Sequence, residues 1–262
     1  MHIIYINPGF DYSLDSILLF QTGSETPYWS DALYYFYPQL NQQALAVLPP
    51  EEKKQYLRNT LYQVYQDLQP EWEHKLQAYN AHWQAHRSQV EAALSEAFET
   101  DASLLFNDLK GCIPLTPVCP RVLQERRVAM FHLNSERGAL GIIIHEMIHF
   151  LWFHVWHEHF GDSYDEYETP SLKWLLSEMV VESIMRDERL SSINPYFPRE
   201  NGGCVYRYFM DMIIGDKPIL DTLDDMYRAR HNIQGFMKGS YAYCQQHEAV
   251  IRAHIAEAEK QF

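Results

Sequence analysis

His145-Glu146-Met147-Ile148-His149 decides how the rest of this chain is read. At about 100° per residue, positions i and i+4 share one helix face, so the two imidazoles stand one turn apart. Two histidines so placed can hold one Zn²⁺, and Glu146 beside the first can reach a water on that ion as its general base. The flanks are Gly138-Ala139-Leu140-Gly141-Ile142-Ile143-Ile144 and Phe150-Leu151-Trp152-Phe153. A helix apolar nearly all round is a buried one. Buried His and Glu are costly unless paired or metal-bound, and a cation satisfies both imidazoles at once. The chain has 13 histidines, so the motif alone carries a false-positive risk that the burial of its helix reduces.

Upstream, Asn134-Ser135-Glu136 offers an N-cap for the motif helix, and Arg126 to Leu133 alternates like a strand. Downstream, Gly161 is a natural C′ residue. An acidic loop follows, with Asp162, Asp165, Glu166 and Glu168, and Thr169-Pro170 reads as the cap and first position of the next helix. Further out, Met1 to Gly9 reads as a short strand ending in a turn, and Pro49-Pro50-Glu51-Glu52 opens a helix running toward Asp67. Pro70 opens a second, long amphipathic helix ending near Glu99. The prolines between Cys112 and Pro120 demand an extended connection. The aromatic stretch from Tyr28 to Leu40 reads as a packed helix or a docking segment. The expected class is α+β, mostly helical, with a small sheet. Residues 1–262 form one domain, mainly helical over 1–110 and metal-binding over 111–262.

Catalytic zinc sites usually take three protein ligands and leave one position for water. His154 points about 180° away from His145, and His159 lies roughly 21 Å along a continuous helix, so neither shares the ion. Trp152 and Val155 occupy the positions where a metzincin needs Gly and His, which excludes that class. Glu178, amid Trp174, Leu175, Leu176, Met179, Val180 and Val181, is the best third donor, because a carboxylate there must be satisfied. Glu182, one turn on, is placed to support a metal-bound His. Asp165, after the helix end, is the rival in an aspzincin-like arrangement.

His145-Glu146-Met147-Ile148-His149 with the later Glu178-Met179-Val180-Val181-Glu182 resembles the gluzincin clan of zinc metallopeptidases. The likeness spans roughly Arg126 to Arg189 and matches a bacterial-type peptidase of no particular subfamily. It implies a zincin-like fold whose edge strand, here Arg126 to Leu133, binds extended peptide. The clan often has Asp where this chain has Glu182. The resemblance also implies an oxyanion-stabilising Tyr or His downstream; Tyr241, His231 and Tyr206 are the candidates.

The chemistry expected is hydrolysis of peptide bonds, with Zn²⁺ as cofactor and Glu146 as base. Mn²⁺, Fe²⁺ or Co²⁺ suit similar ligands. Two alternatives stay open: a non-catalytic protein stabilised by its metal, and a partner-binding protein on a zincin-like scaffold. The formal net charge of −14 argues against nonspecific nucleic-acid binding and against an anionic membrane surface. Gly138 to Trp156 approaches membrane-spanning length, but its histidines and Glu146 would face lipid with no further span to enclose them. Four scattered cysteines without a C-x-x-C pair, and a start unlike a secretory signal, point to a cytoplasmic protein with reduced thiols, and the gluzincin resemblance implies a peptide or protein substrate.

Overall fold

The computed structural model describes residues 2–22, 32–105, 107–195 and 203–260. Trp29, within the aromatic stretch, lies outside the described residues. Helix makes up 67% of the described residues and the sheet is small and mixed, which is the α+β, mostly helical class expected. The fold divides into two compact units interleaved in sequence: residues 2–85 with 108–142, and residues 86–107 with 143–261.

The first unit holds the four-stranded sheet. Strands β1 (Ile3–Ile6), β2 (Leu109–Cys112), β3 (Arg121–Val122) and β4 (Arg127–Ala129) lie in the order β1-β2-β4-β3. Parallel pairing sets Ile3 opposite Leu109 and Lys110 opposite Arg127, whereas β3 runs antiparallel to β4. This corrects the expected edge strand. The segment from Arg126 to Leu133 is strand only over Arg127–Ala129, and it is an interior strand with both sides paired. The true edges offer little to a peptide. The side-chain amide of Asn80 accepts from the Tyr5 amide at 3.2 Å on β1, and β3 is two residues long. Gly111 on β2 leaves no room for a side chain, since a Cβ there would sit 2.6 Å from both the Met130 methyl and the ring of Tyr5, its partner on β1.

Helices α1 (Phe10–Thr22), α2 (Gln42–Val47) and α3 (Pro50–Asp67) complete this unit with the first half of α4 (Gln69–Phe98). Proline in the first turn and Glu51 and Glu52 after it start α3 as the sequence suggests. The core gathers Phe10, Leu14, Ile17, Leu57, Leu61, Trp72 and Leu115. Tyr37, of the aromatic stretch, is buried and donates its hydroxyl to the Leu115 carbonyl at 2.6 Å. Tyr35, two residues earlier, is 79% exposed.

The second unit carries most of the motif helix α5 (Glu136–Phe160) and all of α6 (Leu172–Met185). Ser135 caps α5 by accepting from the Gly138 amide at 3.1 Å, and Gly161 ends it at φ +72°. By length and composition α5 can cross a membrane, yet 83% of its most apolar window is buried inside the protein. The cap of α6 is Ser171 rather than Thr169, because the Ser171 hydroxyl reaches the Trp174 amide at 3.0 Å. Every residue of α6 is buried. Short helices α7 (Glu188–Ser191) and α8 (Arg207–Met210), a hairpin of β5 (Ile213–Ile214) and β6 (Lys217–Pro218), and helices α9 (Ile219–Arg228) and α10 (Ile233–Glu259) follow. Asn232 caps α10 by accepting from the Gly235 amide at 2.7 Å.

Candidate metal centre

The apolar run that makes α5 a core helix also carries its polar motif inward. His149 is fully enclosed at 0% exposure, Glu146 is buried, and His145 is half-buried at the more open end. The one-turn spacing brings the two Nε2 atoms to 3.0 Å, with ring planes inclined at 62°. Neutral imidazoles at that distance share a single proton, so one ring donates and the other accepts. A tetrahedral ion with Zn–N bonds of about 2.0–2.1 Å would set two such nitrogens roughly 3.3 Å apart, so the pair fits a shared cation with little movement.

Carboxylates surround the pair. Glu146 Oε1 lies 3.9 Å from His145 Nε2, and donor atoms of His145, Glu146 and His149 all fall within 4.8 Å of one another. Glu178, from α6, presents Oε2 at 3.6 Å from His149 Nε2. A nitrogen and an oxygen on one tetrahedral ion stand about 3.4 Å apart, so this spacing also suits a common cation. Glu178 and Glu182 are 4% and 2% exposed, one turn apart on the same helix. Arg186, a further turn on, contacts Glu182 at 3.4 Å.

The fold thus brings Glu178 to His149, whereas no contact joins Asp165 to the pair among the described residues. Asp165 is exposed in the short turn Tyr164–Tyr167, and among the described residues no ion pair joins it to either imidazole. His159, already set aside on spacing, contacts the Gln234 amide at 2.7 Å on the protein surface. Tyr241 packs edge-on against Trp156 at 5.2 Å, and burial, with Asp162 adding to it and the Lys173 ammonium opposing, leaves its phenol above the usual range. His231 is exposed just before α10. Among the described residues no hydrogen bond, ion pair or ring contact joins Tyr241 or His231 to His145, His149 or Glu178. Tyr206 packs edge-on against Trp174 at 5.7 Å, and Trp174 lies one turn before Glu178.

Cys204 was not singled out in the sequence. Burial, and then the charges of Glu182 and Glu178, push its thiol well above the ordinary cysteine value, which places it in the field of the same two carboxylates. Nothing in its sequence spacing signals this, because a loop of the tertiary fold brings it there. No family model, curated protein or solved structure matches the chain, so the reading of this centre rests on its own residues.

Proposed function

We propose that the chain is a divalent-metal hydrolase acting on peptide bonds, related in its ligand pattern to the gluzincin peptidases. The observation that carries this reading is the largely buried quartet on two helices, with His145 alone half-buried: paired imidazole nitrogens 3.0 Å apart, a carboxylate 3.6 Å from one of them, and Glu146 beside the other. His145, His149 and Glu178 would hold the ion. Zn²⁺ is favoured by the nitrogen-rich donor set, although Mn²⁺, Fe²⁺ or Co²⁺ suit similar ligands.

When bound, the cation supplies Lewis acidity, polarising a carbonyl and bringing the pKa of adjacent water toward about 7. Glu146 takes a proton from the attacking water and delivers it to the nitrogen as the carbon–nitrogen bond breaks. Glu182 supports the ligand array from the next turn of α6. Tyr206, whose ring packs on Trp174 one turn before Glu178, is assigned to the developing oxyanion ahead of Tyr241 and His231.

Metal analysis of the purified protein beside His149→Ala tests the ligand set, and digestion of a peptide mixture tests the reaction. A wild type that carries metal but leaves the peptides intact would favour the non-catalytic alternative, in which the ion contributes folding energy alone.

A further inference from the structure

Lys173 stands in the first turn of α6 with only 8% of its surface exposed, an unusual place for a lysine. Its ammonium bridges Asp162, at 2.6 Å, and Glu166. Asp162 is fixed from other directions too. Its carboxylate accepts from Trp156 Nε1 at 2.6 Å, and its carbonyl accepts from His157 Nδ1 at 2.7 Å and from the Tyr167 hydroxyl at 3.3 Å. Tyr167 is fully buried and stacks on Phe153 of α5 with centroids 4.5 Å apart. Ser171, the cap of α6, donates to the Glu166 carbonyl at 2.6 Å. The last turns of α5, the connecting loop and the first turn of α6 therefore form one hydrogen-bonded corner.

Only the lysine side of these pairs is buried, the Asp162 and Glu166 side chains being 26% and 51% exposed, so solvent screening and the desolvation of Lys173 leave little net stability in them. Their lasting effect is to fix geometry. Glu178 lies five residues beyond Lys173, about 7.5 Å along the helix axis. Opening the corner by about 10° would carry the carboxylate roughly 1.3 Å, far beyond the ~0.2 Å tolerance of a metal–ligand distance. We propose that the Lys173–Asp162–Glu166 corner positions Glu178 against His149 and so sets the affinity of the centre for a divalent cation. This rests on the reading of the site as a metal centre.

The test is titration of the full chain with Co²⁺, followed through its visible d–d bands, with thermal unfolding of each metal-free protein alongside. Lys173→Met keeps the aliphatic stem and removes the charge. It is expected to weaken cobalt binding by about tenfold or more and to alter the bands. The metal-free Tm should stay within about 4 °C of wild type. Lys173→Arg, which retains the charge, should restore both affinity and bands. Asp162→Asn with Glu166→Gln releases the same corner from its other side and carries the test if Lys173→Met does not fold. Wild-type affinity and bands in the charge-removing variants overturn the proposal. Failure of Lys173→Arg to restore them does so as well. A wild type without cobalt bands removes the metal reading and the corner together, whereas binding abolished by His149→Ala yet indifferent to the corner variants removes the corner alone.

Discussion

Glu146 is the side chain at which hydrolysis and simple metal storage part company. Glu146→Gln keeps the shape and removes the basic oxygen, so it should retain metal while hydrolysis of a peptide mixture falls by about 10²–10⁴. Unchanged hydrolysis in that variant would remove Glu146 from the mechanism. Tyr206→Phe should lower kcat by roughly 10²–10³ with metal content unaltered, and Tyr241→Phe should leave the rate alone; steady-state kinetics on one defined peptide decides between them. The histidine pair was legible in the sequence because its geometry is set by the helix repeat and nothing else. Glu178 was legible for a related reason, since a carboxylate within an apolar run needs a partner. The choice among Tyr206, Tyr241 and His231 was not legible. It depends on which loop packs against Trp174 and which ring packs on Trp156, and no local spacing encodes either contact.

The helices follow their sequence signals more closely than the strands do. Proline with acidic residues starts α3, serine caps α5 and glycine ends it, because each signal acts within one turn of the backbone. Thr169-Pro170 misled by two residues, since Ser171 offers the α6 amides a better-placed hydroxyl. The stretch around β4 misled further. Alternation of side chains marks a strand but does not say whether a neighbour pairs on one side or both, and β2 and β3 pair on both. One of the two parallel partners of β2 is β1, at the far end of more than a hundred residues, a pairing that only the tertiary fold discloses. Close approach at Gly111 gives this sheet a sharp test. Gly111→Ala should destabilise the protein by about 1–3 kcal/mol in urea unfolding, because the new methyl meets the Tyr5 ring, which has less room to yield than the Met130 terminus.

Across the molecule as a whole, stability should respond to acid through a group outside the metal centre. His132 is buried, and because the Tyr37 hydroxyl gives its proton to Leu115, His132 Nε2 is the donor in its 3.2 Å contact with Tyr37. Burial, with the Lys75 ammonium adding to it, holds the imidazole down to about 4. The unfolded chain takes up that proton near pH 6.5 while the folded chain does not. Stability should therefore fall as pH drops from about 6.5 and level off below about 4, a loss of about 3 kcal/mol from this residue. His132→Gln should flatten that part of a urea-unfolding series against pH. Lower still, Asp187 adds a second loss. Burial opposes its ionised form, but hydrogen bonds from Arg189 and Tyr227 outweigh it and hold the carboxyl at about 2, so its contribution, present above about 3.8, disappears as pH falls through about 2. Neither group touches the claim on which the functional account stands, that two imidazoles and a carboxylate from neighbouring helices grip a single ion. Zinc titration against a competing chelator, on wild type, His149→Ala and Glu146→Gln, measures that claim directly. A single tightly held ion per chain, lost in His149→Ala and kept in Glu146→Gln, is the predicted result; a wild type that holds no ion, or holds it equally well without His149, would contradict it.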